Sequence, residues 1–176
     1  IVGLTFVFSG FVKTIDPWGT ALKVNEYLSI YGIEELTPYS MIFSIWLCGA
    51  ELMMGLMLTF KVRTRLVSIF ALGSMIFFTI LTFLSATWIP VEDCGCFGDA
   101  IKLTNWQTFN KNIALLVLVI ILLFSSLKSK PIILPTYEWM AIALFSVIGI
   151  GLSLHSYRHL PMIDFRPYKV GVNILE

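Results

Sequence analysis

Two cysteines one residue apart, Cys94-Gly95-Cys96, are the side chains in this chain best suited to chemistry. They lie in a short polar stretch, Val91-Glu92-Asp93-Cys94-Gly95-Cys96-Phe97-Gly98-Asp99, between two long apolar runs. Three chemistries suit such a pair: a redox-active disulfide, a static structural disulfide, or metal ligation. Closing a ring across one residue is tight, and Gly95 supplies the backbone freedom that this needs. Strain in so small a ring makes a disulfide easier to reduce and more oxidising. The neighbouring Glu92, Asp93 and Asp99 disfavour a thiolate, which argues against a very reactive free thiol. Two thiolates leave zinc short of its usual four ligands. No His or Cys close in sequence completes a set, so no metal site is assigned.

A second candidate is Glu51, an acid inside a long apolar run. Carboxylates at membrane depth are costly and are functional candidates by default. Glu51 is read either as a quinone or proton site, or as a neutral carboxyl hydrogen-bonded to Ser, Thr or Trp within a bundle. Cys48, one helical turn away, reads as a small buried thiol. His155 and His159, four apart, share a helix face and form either a two-His metal site or a pair of interfacial histidines. Asn105, Asn110 and Asn112 either line a polar pocket beneath the cysteine loop or serve as caps and solvated positions.

The elements that must hold these residues are membrane helices. Of 176 residues, 57% are hydrophobic and 13% charged, against roughly 45–50% and about 25% in soluble domains. Net charge is +1, and no basic cluster longer than three residues exists, which excludes nucleic-acid binding as an expectation. The fold class expected is all-α, an integral membrane helical bundle in contact with the lipid bilayer. Ile1 to Val12 is too short to cross alone and is expected to be the second half of a longer first helix. Pro17 and Gly19 are expected to break helix, with Trp18 at the interface. Thr20 then caps an amphipathic helix over about 20–32 that lies on the membrane surface or packs on its neighbours. Thr37-Pro38 predicts a cap and first helical position for a second span over about Tyr39 to Phe60. A third span runs from Arg65, capped by Thr64, to Trp88. Thr104-Asn105-Trp106-Gln107 has the form of a capping box that opens a fourth span to about Leu127. A fifth covers about Tyr137 to Tyr157.

Charge asymmetry orients these spans. Lys61, Arg63 and Arg65 mark one loop and Lys128 and Lys130 another, and both are expected to be cytoplasmic. The stretch from Lys13 to Thr37 holds two lysines against Asp16, Glu26, Glu34 and Glu35, and the cysteine loop sets Glu92, Asp93 and Asp99 against Lys102. Both are expected outside, with the N-terminus in and the tail after His155 out. The cysteine pair then faces the oxidising compartment, where disulfides persist.

Three motifs together resemble the DoxX/MauE family of small bacterial membrane proteins: Ser9 to Gly19 (SGFVKTIDPWG), Glu51 to Leu58 (ELMMGLML) and Cys94 to Asp99 (CGCFGD). The resemblance covers about 1–127, and the stretch 159–169 is similar to a Bacteroidetes branch in which a thioredoxin-like domain can follow. It implies a four-helix core over 1–127 similar to vitamin K epoxide reductase, to which the hydropathy and charge pattern add a fifth transmembrane helix at 128–157 and a periplasmic tail at 158–176. It further implies residence in the bacterial inner membrane, Cys94 and Cys96 as the catalytic redox pair, a thioredoxin-like protein or domain as partner, and a membrane quinone as a cofactor. The chain departs from vitamin K epoxide reductase relatives in having no second cysteine pair, since Cys48 stands alone in its span.

Two function classes follow. One is a thiol–disulfide oxidoreductase component whose Cys94/Cys96 exchanges with an extracytoplasmic thioredoxin-like partner and whose electrons pass to or from quinone near Glu51. The other is a non-catalytic accessory subunit of a larger membrane complex, a role that suits a chain with little soluble mass. Transport is a weaker third reading, because only Glu51 is charged well inside an expected span.

Overall fold

Helices account for the regular structure, and no strand occurs among the described residues, which in this computed structural model are 1–88, 103–128 and 135–159. The elements are α1 (Val2–Ile15), α2 (Pro17–Ile30), a 3-10 helix (Glu34–Tyr39), α3 (Ser40–Thr59), α4 (Thr64–Thr87), α5 (Asn105–Lys128) and α6 (Pro135–Arg158). Four of them are long and apolar enough to cross a bilayer: Glu34–Thr59, which takes in the 3-10 turn, Thr64–Thr87, Asn105–Leu127 and Tyr137–Arg158. α1, at 14 residues, is a shorter apolar helix.

Large apolar side chains cover the outside of the bundle. Phe70 is 63% exposed, Ile121 59% and Val147 69%. Water would penalise that surface at every such residue, whereas lipid tails match it, and the chain is a multi-pass membrane protein. Several hydroxyls on these helices are satisfied by the carbonyls of their own helix, as hydrocarbon favours. On α4, Thr79 Oγ1 donates to the Met75 carbonyl at 2.6 Å, Thr82 Oγ1 to Phe78 at 2.8 Å and Ser85 Oγ to Leu81 at 3.0 Å.

Two packing units share the bundle. α3 lies against α1 and α6, while α4 packs chiefly on α5. α1 and α3 approach to backbone contact because small residues face each other's main chain. A Cβ added at Gly10 would collide with the backbone of Leu52, and one at Gly55 with the backbone of Val7. α3 and α4 are consecutive yet touch little, so a cleft runs between them. Their connection is short and strained: Lys61 (φ 56°) and Arg63 (φ 43°) are both left-handed, a region costly to residues with a Cβ. It is pinned by Val62, fully buried, whose N–H donates to the Met57 carbonyl at 2.9 Å. This connection marks one end of the molecule, the turn end. The other, the loop end, carries α2, the C-termini of α1, α4 and α6, and the start of α5.

Several local expectations need correction. α1 continues past Val12 to Ile15 and carries Lys13 with it. α2 starts at Pro17 rather than after Gly19, because Asp16 caps it: its Oδ1 accepts from the Gly19 N–H at 3.1 Å, and proline suits the first helical position. Thr37 and Pro38 do not open the second span, since both lie within the 3-10 helix and α3 begins at Ser40. Only Pro17 and Ala21 of α2 are buried, so most of that helix is a partly open surface. The capping box forms as expected. Gln107 N–H donates to Thr104 Oγ1 at 3.3 Å, and Thr104 N–H donates to Gln107 Oε1 at 3.0 Å.

Candidate functional site

Glu51 is neither neutral filler nor a lone acid. Its Oε2 lies 2.7 Å from Lys13 Nζ, with the two side chains 11% and 6% exposed. The close approach of α1 and α3 at Gly10 and Gly55 creates this pair, because it brings Lys13 level with the middle of α3. Reading Glu51 as the only deeply placed charge is therefore wrong: Lys13 belongs to the bundle interior and not to a loop. Removing it from the loop leaves the region after α1 more acidic, with Lys23 facing Asp16, Glu26, Glu34 and Glu35. Lys13 Nζ also lies 5.7 Å from the ring centroid of Phe78 on α4.

The pair borders a cavity of about 610 Å³ with walls from α1, α3, α4, α5 and α6. That volume falls in the range of about 300–1,000 Å³ typical of small-molecule sites. Its lining is mostly apolar, with Phe6, Met54, Met57, Leu66 and Val67 among it, and holds one polar cluster, Lys13, Glu51, Lys111 and Asn112, besides Arg63 at the turn end. Asn112 is buried and held on α4, its Nδ2 donating to Thr82 Oγ1 at 3.3 Å and the Phe78 carbonyl at 3.4 Å. At 1.5 Å per residue, Glu51 lies about 16 Å along α3 from its start, and Asn112 about 10 Å along α5.

Of the other candidates, Cys94 and Cys96 lie outside the described residues, as do Glu92, Asp93 and Asp99. What is described is the frame from which their loop springs. Ser85, near the end of α4, has its Oγ 3.1 Å from Tyr27 Oη of α2, and its carbonyl accepts from Asn105 Nδ2 of α5 at 3.2 Å. One residue thus ties the surface helix and both loop-bearing helices together. Asn105 is part of that tie and Asn112 part of the cavity, so the asparagines divide between the two expected roles. Cys48 is a free thiol with no exposure, and its Sγ donates to Thr20 Oγ1 at 3.6 Å. It links α3 to α2. His155 and His159 stack with ring centroids 4.5 Å apart, and His159 Nδ1 lies 3.1 Å from the His155 carbonyl. Stacked rings do not converge on a shared ion. Among the described residues, no group of three His, Cys, Asp or Glu side chains is placed to hold a metal.

Lys13 is the residue that sequence reasoning missed. The signal for it was present: a lone lysine between Val12 and Thr14 at the end of one apolar run, and an equally lone glutamate, Glu51, inside the next.

Searches of curated proteins and of solved structures return no match. A family model does match, that of methylamine utilisation protein MauE, over residues 1–125. The matched region holds α1 to α4 and most of α5, and with them the ion pair, the cysteine loop and most of the cavity lining, with α6 beyond it. Of the two names joined in the sequence resemblance, the match carries MauE. With more than half its length matched and four helices able to cross a bilayer, this chain belongs to the MauE family of multi-pass membrane proteins.

Proposed function

We propose that the chain is a membrane thiol–disulfide oxidoreductase component. A Cys94–Cys96 disulfide accepts two electrons from the dithiol of an extracytoplasmic thioredoxin-like partner, through a mixed disulfide. The resulting dithiol passes two electrons and two protons to a membrane quinone, which leaves as quinol while the disulfide re-forms. The observation that carries this reading is the buried Lys13–Glu51 pair in the wall of a cavity that the exposed Trp46 and Phe70 also line. An ion pair inside hydrocarbon is expensive to maintain, and a cavity beside it gives the expense a use. The charge pattern supports residence in a bacterial inner membrane with the turn end cytoplasmic. Lys61, Arg63 and Arg65 cluster there, and the acidic residues of α2 and the 3-10 helix lie at the opposite end.

Trapping tests the exchange step. With Cys96→Ser, Cys94 is expected to capture a thioredoxin-like partner as a mixed disulfide, and Cys94→Ser is expected to abolish partner oxidation. If partner oxidation persists in Cys94→Ser and no adduct forms with Cys96→Ser, the relay fails. Co-purification with a large complex whose activity survives both substitutions would then establish the accessory-subunit role instead.

A further inference from the structure

We infer that the cleft between α3 and α4 seats one acyl chain of an anionic phospholipid whose phosphate lies on Lys61 and Arg65 at the turn end. This goes beyond the relay proposed above and stands without it.

Three observations lead there. First, the cleft opens sideways at bilayer depth. Trp46, Leu66 and Phe70 line the cavity and are also exposed on the outside of the bundle. Outside two membrane-spanning helices the solvent is hydrocarbon, so what reaches the opening is a lipid chain and not water. Second, the cleft has the length of such a chain. From Met57 to Trp46 the lining runs about 16 Å along α3 at about 1.5 Å per residue. That is one leaflet, half of a hydrocarbon core of about 30 Å. The chain lies along α3 and α4, while Lys13, Lys111 and Asn112 belong to α1 and α5 on the remaining wall. Third, the turn-end mouth is basic. Arg65 stands one helical turn before Ile69, which lines the cavity and is exposed, so a headgroup on Arg65 has its chain beside the opening. Lys61 is exposed in the adjoining connection, and neither cation makes an ion pair among the described residues. Arg63, between them, is engaged by Glu138 and Trp139. Phe60, Tyr137 and Trp139 are exposed at the same end and set it at headgroup level, where anionic phosphate meets Lys and Arg. A quinone entering by this route has to displace the seated chain.

The experiment adds phosphatidylglycerol, and separately phosphatidylcholine with the same chains, to the full chain in detergent and counts bound lipid by native mass spectrometry. Phosphatidylglycerol is expected to bind saturably and at least about tenfold tighter than phosphatidylcholine. Arg65→Gln is expected to weaken it about fivefold, the worth of one cation near the headgroups. Lys61→Asn, which suits a left-handed backbone, is expected to do the same. Arg158→Gln makes an equal charge change at an exposed site of the loop end and is expected to leave binding unchanged. Gly73→Phe tests the chain seat. A Cβ there meets nothing within 4 Å, so a larger side chain enters the cleft without displacing backbone. It is expected to weaken both lipids about tenfold, and Gly73→Leu repeats the test should phenylalanine lower the melting temperature. Phosphatidylglycerol binding that is unchanged in the Gly73 variants overturns the chain seat. Equal affinity for the two lipids, or equal loss in Arg158→Gln, overturns the headgroup site. Loss in Lys111→Gln with none in Arg65→Gln puts the phosphate in the interior and overturns it too. Displacement by inorganic phosphate alone marks an ion site without a chain, and the assignment fails. Cys94→Ser/Cys96→Ser is expected to bind lipid as the parent does, so failure of the relay and failure of this seat are read separately.

Discussion

Two cation–carboxylate contacts between distant helices, Lys13–Glu51 and Arg63–Glu138, differ in depth and in how far the cation is exposed. Lys13–Glu51 is 2.7 Å long, nearly closed to the surface and placed deep along α3. Arg63–Glu138 is 3.2 Å long, with the Arg63 side chain 31% exposed and its guanidinium 4.2 Å from the Trp139 ring centroid. The second is a clamp. It fastens the α3–α4 turn to the start of α6 at the rim, where water and headgroups share the work of solvation and the aromatic ring adds a modest attraction. The first lies away from water and headgroups, although Lys13 also faces the Phe78 ring at 5.7 Å. Its two charges depend on each other, so it contributes little net stability while making each partner indispensable to the other. A fold that needed only to hold α1 against α3 could do so with the backbone contact at Gly10 and Gly55. Keeping an ion pair there as well, beside a cavity, points to use rather than support.

The contrast breaks most sharply by removing one partner. Lys13→Met or Glu51→Gln alone is expected to cost about 3–5 kcal/mol by leaving a buried charge uncompensated. Thermal unfolding in detergent measures it. Lys13→Met/Glu51→Leu together is expected to return to within about 1 kcal/mol of the parent. If the singles and the double are equally damaging, the pair is a packing feature and the contrast collapses.

Next in size is Gly10→Val, which forces α1 away from Leu52 and is expected to cost about 1–3 kcal/mol, as overpacking does. It disturbs the interior pair and leaves the rim pair intact, so the Arg63–Glu138 coupling from a double-mutant cycle should not change. Arg63→Met is expected to cost about 1–2 kcal/mol, because it removes a ring contact and a partly exposed cation and leaves the Glu138 side chain, 11% exposed, without that partner. That cost should shrink in high salt, whereas the penalty for Lys13→Met should not. Smallest is Lys23→Ala. Its partner Glu26 is three residues along α2 and both side chains are about a third exposed. The change is expected to move stability by about 0.5 kcal/mol or less.

What the sequence revealed follows what hydropathy and local chemistry can encode. The all-α membrane class and the four long helices were legible because each is a run longer than the bilayer requires. The start of α5 was legible because Thr104 and Gln107 satisfy each other's backbone within four residues. Local signals failed where two competed. Asp16-Pro17 and Thr37-Pro38 both read as helix starts or stops, yet Asp16 proved a true cap while Thr37 became part of a 3-10 turn. The interior pair was legible by half. Glu51 stood out within an apolar run, whereas Lys13 sat at the end of one and passed for a loop residue. No linear pattern joins side chains 38 positions apart. That join is made by the close helix approach, which depends on Gly10 and Gly55 lying opposite particular backbone atoms. The cavity was invisible for a related reason, since it arises where α3 and α4 fail to pack.

The Lys13–Glu51 contact also bears on how the chain enters its membrane. α1 is made before α3 and carries an ammonium with no countercharge of its own at that depth. Glu51 arrives only with α3, after the surface helix and the 3-10 turn have emerged. Until then α1 faces the cost of a solitary cation in hydrocarbon, so it has reason to remain shallow, with Lys13 reaching for the interface. Pairing rewards the two helices for settling together. The same contact that borders the cavity therefore ties the insertion of α1 to that of α3.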